Sequence, residues 1–162
     1  MSVPSPASLA VPTPDSTPRL RIGEAAAIAG VSTRTLRYYQ ELDLLTPAGT
    51  TAGGARRYSD LDVARVERIR HLRELVGLDL GEVGRVLRAE DRLAALRREF
   101  REGASSRRPF ELVEEALRIN AEVQGLVRAK VAGLSEFLGG LEDRAAAYRA
   151  RIAELEGAPP DA

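Results

Sequence analysis

Apolar side chains in the second half of the chain recur at alternating steps of three and four residues. Phe110, Val113, Leu117, Asn120, Gln124, Val127, Val131, Leu134, Leu138, Leu141, Ala145, Tyr148, Ile152 and Leu155 share one seven-residue frame, and only Asn120 and Gln124 among them are polar. A frame this regular predicts a coiled-coil helix over 110–156 rather than an ordinary amphipathic one. Unbroken, that helix would span roughly 70 Å at about 1.5 Å per residue. No single small domain buries a stripe of that length, so a partner helix is expected along it. The dimerisation candidates are Val113, Leu117, Val127, Val131, Leu134, Leu138, Leu141 and Tyr148. Asn120 and Gln124 either set register from within the seam or sit where the helices splay, and the pattern leaves both readings open. Ile119, Val123 and Leu126 lie off the seam and imply a second packing surface, against a helix carrying Leu93, Leu96 and Phe100. Gly133 and the pair Gly139-Gly140 each weaken a helix by roughly 1 kcal/mol relative to Ala, which leaves a break near 139–140 open.

The first half has shorter periods. Ile22, Ala25, Ala26 and Ile28 form the apolar side of a short helix; Gly30 is placed to end it in the left-handed conformation and Ser32 to cap the next. In that next helix Leu36 and Tyr39 face inward, with Leu42 an open case, while Thr33, Arg34 and Arg37 fall on the outward side. Two short helices joined by a tight Gly turn make a helix-turn-helix candidate whose second helix enters a major groove. Glycines and a proline between Thr46 and Ala55, followed by Arg56-Arg57-Tyr58, predict a hairpin or loop that sets arginines beside that helix. Ser59 with Asp62 forms a capping box for a helix carrying Val63, Val66, Ile69, Leu72, Leu75 and Val76, ended by Gly77. Asp79 with Glu82 repeats the cap for a fourth short helix over 80–88, and a separate charged amphipathic helix is expected over 89–101.

Charge and composition narrow the chemistry. The chain balances 24 basic against 24 acidic side chains. Residues 19–88 nevertheless carry 12 Arg against 9 acids (12 − 9 = +3), while 89–162 carry 12 basic residues against 14 acids (12 − 14 = −2). All but one of the basic residues are Arg, which suits bidentate contacts to phosphate and guanine, although genomic base composition also enriches Arg. With no Cys, the chain has no disulfide framework, thiolate metal site, iron–sulfur cluster or thiol switch; with one His, an imidazole cage is not expected either. His71 is expected to be a packed or surface residue. No cofactor or metal is anticipated. Paired carboxylates in a Gly-framed loop, a nucleophile elbow and a phosphate-binding loop are missing, so the chain is not expected to be an enzyme. The start of the chain lacks a secretory pattern and no apolar run suits a membrane span, so a cytoplasmic location is expected, without membrane association.

The segments Ile22-Gly23-Glu24, Gly30-Val31-Ser32, Thr35-Leu36-Arg37-Tyr38-Tyr39, Leu44-Leu45, Arg56-x-Tyr58-Ser59 and Asp62-Val63, in this order, resemble the DNA-binding domain of the MerR family of transcription regulators over about 20–88. The resemblance implies a mainly α fold: an N-terminal winged helix-turn-helix domain, then a long helix forming an antiparallel coiled-coil dimer. It implies DNA contacts from Ser32, Thr33, Arg34 and Thr35 at the start of the recognition helix, with Thr33 and Arg34 reading bases and Arg37 and Tyr38 anchoring phosphate. Arg56 matches the wing arginine, Arg57 is either its supplement or surface, and Tyr58 is either a wing contact or core. Where the family commonly has Tyr before the wing arginine, this chain has Ala55.

The expected organisation is a disordered Pro-rich tail over 1–18, the DNA-binding domain over 19–88, a connecting helix and loop over 89–109, the dimerisation helix over 110–156 and a flexible end over 157–162. The family implies a homodimer on a pseudo-palindromic promoter site, distortion of the DNA between promoter elements and an indirect effect on RNA polymerase. The cysteine-dependent sensing branches do not fit, and a large ligand-binding domain after the seam is not expected. A small apolar effector between the Leu93–Phe100 helix and the dimer helices, near Phe110 and Phe137, remains open. The competing reading is a coiled-coil protein-interaction module that uses the winged helix as a docking surface.

Overall fold

A computed structural model describes residues 15–103 and 109–157. The fold is mainly α, in the order α1 (Ile22–Ile28), α2 (Thr33–Glu41), β1 (Gly49–Thr50), β2 (Arg56–Arg57), α3 (Asp60–Glu74), α4 (Leu80–Glu102) and α5 (Pro109–Gly157). Contacts divide the chain into two compact units, with the boundary between Arg88 and Ala89, inside α4. Residues 1–14 of the expected tail and 158–162 of the expected end lie outside the described residues. Residues 15–18 have no regular structure; the Asp15 carboxylate accepts from the backbone N–H (2.9 Å) and hydroxyl (2.8 Å) of Thr17. Those bonds hold its pKa below the ordinary carboxylate value.

In the first unit α1 packs on α2 and α3. Ala25, Ala26 and Ala29 of the α1 region are buried, and these small side chains let the helix approach Leu36 and Tyr39 of α2 and Val66 and Ile69 of α3, all buried as well. Ile28 was expected inside and is exposed, because the short helix turns its 25/26/29 face inward and Ile28 falls off that face. The turn after α1 is the expected one: Gly30 has φ +65°, its N–H donates to the Ala27 carbonyl (3.2 Å) and Val31 N–H to that of Ala26 (2.9 Å). This pair of bonds satisfies two orphan carbonyls at the helix end. Arg70 of α3 adds a donor to the Ala29 carbonyl (3.0 Å). The same termination follows α2, with Asp43 at φ 55° in the glycine's place; Asp43 N–H donates to Gln40 and Leu44 N–H to Tyr39.

The expected helices over 80–88 and 89–101 are one helix, α4. No Gly or Pro lies between Arg88 and Leu93, and all the residues there except Asp91 favour a helix. Its start carries the expected reciprocal cap, Glu82 N–H to Asp79 Oδ1 and Asp79 N–H to Glu82 Oε2, each 2.8 Å. Likewise α5 runs through Gly139 and Gly140 without a break.

The second unit comprises α4 from Ala89 onward and α5. Leu96 of α4 and Leu112 of α5 are buried, and Arg92 binds Glu115 across the two helices (Nε to Oε1, 2.6 Å). Between Leu93, Leu96 and Phe100 on one side and Leu112, Val113 and Ala116 on the other lies an open apolar groove of about 550 Å³. Phe110 and Phe137 do not line it and are exposed. The seam residues are uncovered in the single chain: Leu117 is 69% exposed, Leu134 60% and Tyr148 67%. The seam amides contact each other along the helix, Gln124 Nε2 donating to Asn120 Oδ1 (2.6 Å) while Arg128 donates to Gln124 Oε1 (3.1 Å).

Candidate nucleic-acid interface

Ser32 caps α2. Its Oγ accepts from Thr35 N–H (3.0 Å) and lies 2.8 Å from the Thr35 hydroxyl, so both residues hold the first turn in place. Beyond that turn, Arg34, Arg37 and Tyr38 are exposed and Thr33 and Thr35 half-buried, while Leu36 and Tyr39 anchor the opposite face in the core. The recognition candidates therefore occupy one side of a helix whose other side is fixed. Two guanidiniums and a phenol on that side supply donors matched to phosphate oxygens and base edges.

The wing is short. Gly49 pairs with Arg57 and Thr50 with Arg56 in an antiparallel ladder, closed by Thr51 N–H to the Ala55 carbonyl (2.8 Å) and Gly54 N–H to that of Thr51 (2.9 Å). Gly54 sits at φ +80°, a conformation that suits glycine. Asp62 ties the wing to α3: its Oδ2 accepts from Ser59 N–H (2.8 Å) and from Ala48 N–H (3.0 Å). The capping role was legible from Ser59 and Asp62, but the bond to Ala48 has no sequence signal.

Arg56 is exposed and Arg57 half-buried. Tyr58 is fully buried, so of its two readings the structure favours the core one: a side chain without exposed surface acts through its neighbours. Its backbone pairs with Leu20, N–H to carbonyl in both directions at 2.9 Å. Its hydroxyl accepts from Gln40 Nε2, and Gln40 Oε1 accepts from Arg56 Nη1. Gln40, a residue sequence reasoning passed over, thus links the recognition helix to the wing arginine and to the core in one amide. The two partners lie 16 and 18 residues away, beyond any local pattern.

Among the described residues, no cluster of three or more His, Cys, Asp or Glu is arranged to hold a metal ion, and no helix is long and apolar enough to cross a membrane. His71 is exposed on α3.

Residues 20–90 match the family model described as "MerR HTH family regulatory protein". Among similar curated proteins, the HTH-type transcriptional regulator PA4778 of Pseudomonas aeruginosa is 43% identical over 68 residues, covering 42% of this chain and 51% of the relative. The HTH-type transcriptional activator TipA of Streptomyces coelicolor is 44% identical over 80 residues, covering 48% of this chain and 31% of the relative. The chain therefore spans about half, or less, of the length of these relatives. A solved structure of a MerR family chain from Listeria monocytogenes covers 85% of this chain and 91% of its own length at 23% identity, with a TM-score of 0.53, and supports the fold. Residues 20–90 are thus similar to the helix-turn-helix domain of MerR family regulatory proteins.

Proposed function

We propose that the protein is a transcriptional regulator that binds a pseudo-palindromic promoter site as a homodimer. The observation that carries the reading is the exposed row Arg34, Arg37 and Tyr38 on α2, with half-buried Thr33 at its start, linked through Gln40 to the wing Arg56. Thr33 and Arg34 read base edges at the start of the helix, while Arg37, Tyr38 and Arg56, with Arg57 beside it, hold phosphates. The relatives' printed roles as transcriptional regulator and activator support this reading.

Dimerisation is supported by the uncovered seam. Val113, Leu117, Val131, Leu134, Leu138 and Tyr148 are each more than half exposed, and Leu141 and Val127 more than a third. Apolar exposure at that spacing marks a surface that a second helix covers. Two copies present two recognition helices to successive major-groove faces, and bending the DNA between promoter elements would let the pair act indirectly on RNA polymerase. The protein would act in the cytoplasm.

Nuclease footprinting of the purified chain on genomic promoter fragments, followed by a salt titration on the protected site, tests this directly. A two-fold footprint and a log–log slope of about −0.9 per neutralised phosphate are expected. Salt-independent behaviour without a footprint would instead support a coiled-coil docking module.

A further inference from the structure

We infer that the seam of α5 specifies one antiparallel register, in which each seam residue i of one copy faces seam residue 265 − i of the other and the partner's segment Ala145–Leu155 fills the groove between α4 and α5. This rests on the homodimer proposed above and adds to it the alignment and the occupant of the groove.

The seam itself permits several alignments, because shifting by seven residues maps it onto itself. In the 265 alignment all fourteen seam positions find a counterpart: Phe110 with Leu155, Val113 with Ile152, Leu117 with Tyr148, Asn120 with Ala145, Gln124 with Leu141, Val127 with Leu138 and Val131 with Leu134. The alignments summing to 258 and 272 each leave two seam positions at one end of each helix unpaired.

Charge decides more sharply. Flanking positions after and before the core residues meet their own kind across an antiparallel pair. In the 265 alignment Glu114 meets Arg149, Ala121 meets Glu142, Arg128 meets Ser135, Ala116 meets Arg151, Val123 meets Arg144 and Lys130 meets Phe137. No like charges meet, and the Glu114–Arg149 pair occurs twice by symmetry. Phe137, 64% exposed and off the seam, gains the aliphatic stem of the opposing Lys130. At 258, Glu114 meets Glu142, Arg128 meets its own copy and Lys130 meets its own copy. At 272, Glu114 meets Glu156 and Lys130 meets Arg144, against one favourable pair, Arg128 with Glu142. Like charges at flanking sites oppose pairing and screen out wrong registers.

The groove follows from the same alignment. Val113 and Asn120 both belong to the seam and line the groove, so the groove continues the dimer surface. Its α4 wall, Leu93, Leu96 and Phe100, then covers the outer side of the partner's helix near Ile152 and Tyr148. Ala145, the smallest seam residue, falls opposite Asn120, which leaves room for the Asn120–Gln124 amide pair.

Because the chain has no Cys, single cysteines report alignment cleanly. Full-length Val113→Cys mixed with Ile152→Cys is expected to give a covalent dimer with a short bismaleimide. Val113→Cys with Ala145→Cys, Asn120→Cys with Ile152→Cys, and Val113→Cys alone are expected to stay uncrosslinked; these report the 258, 272 and parallel alignments. Crosslinking of any of those three, or of no pair in a chain that sediments as a dimer, overturns the register while leaving the homodimer standing. A chain that sediments as a monomer overturns both. As a second readout, Glu114→Arg should raise the dimer dissociation constant about fivefold, and adding Arg149→Glu in the same chain should restore it; failure of the reversal to restore pairing also overturns the register.

Discussion

Replacing Gln40 with Leu tests the link between the recognition helix, the wing and the core. The substitution leaves the Tyr58 hydroxyl, in a fully buried residue, without the donor that Gln40 Nε2 provides. An unsatisfied buried polar group costs about 1–3 kcal/mol. Tyr58→Phe removes the hydroxyl instead and leaves a half-buried amide that still accepts from Arg56, so its cost should stay near 0.5–1.5 kcal/mol. In the double variant both partners are gone, and the total should fall short of the sum by about 1 kcal/mol or more. Urea unfolding followed by circular dichroism measures the cycle. On a domain of this size each 1 kcal/mol also moves the melting temperature by about 4–8 °C. The two single variants should separate in DNA binding: Gln40→Leu releases Arg56 and weakens affinity, whereas Tyr58→Phe preserves the Gln40–Arg56 bond and binds like the parent chain. Additive costs, or equal DNA affinities for the two, would refute the bridging role.

Other expectations follow from individual contacts. Asp62→Ala should destabilise the first unit by about 2–4 kcal/mol in the same unfolding assay, because it strips the acceptor from two amides, Ser59 and Ala48, while Asp62→Asn, whose carbonyl can take the position of Oδ2, should cost less than half as much. Gly30→Ala should cost about 1–2 kcal/mol, since φ is +65° and an added Cβ would meet Arg70 Nη1 at 3.0 Å; Asp43→Gly, at the matching place after α2, should stabilise by up to about 1 kcal/mol. Arg37→Ala should weaken binding to all DNA sequences alike and lower the salt slope by about one unit, whereas Arg34→Ala should cost about 1–3 kcal/mol at particular base pairs in a binding-site selection.

What the sequence shows and what it hides divide along the range of the interaction. The Gly30 turn, the Ser32 and Ser59 caps and the Asp79–Glu82 pair all act within a few residues, so residue type and spacing reveal them. The α5 seam is legible for a related reason: a helical period repeats a local rule many times. Gln40 joining Tyr58 and Arg56, Asp62 reaching Ala48, Arg65 donating to the Leu44 carbonyl and Arg70 capping α1 are side chains that meet across the fold, and neither end signals the other. The division of α4 into two helices was expected from a change in apolar pattern at Ala89. The backbone has no reason to stop there, and the pattern changes because the helix passes from the first compact unit into the second. Tyr58 shows the limit of analogy: its place in a wing motif is compatible with contact or core, and only its burial separates the two.

The central claim is that two chains, joined along α5, carry both recognition helices to one duplex. Sedimentation of the parent chain and of Leu134→Asp, each with a labelled operator fragment, measures it most directly. The account predicts two parent chains per duplex, and for Leu134→Asp a monomer whose affinity for the operator is at least about 100-fold weaker, as expected for a charge buried at the centre of a dimer seam. A parent chain that binds the operator singly, or a Leu134→Asp chain that remains dimeric and binds as well, would contradict it.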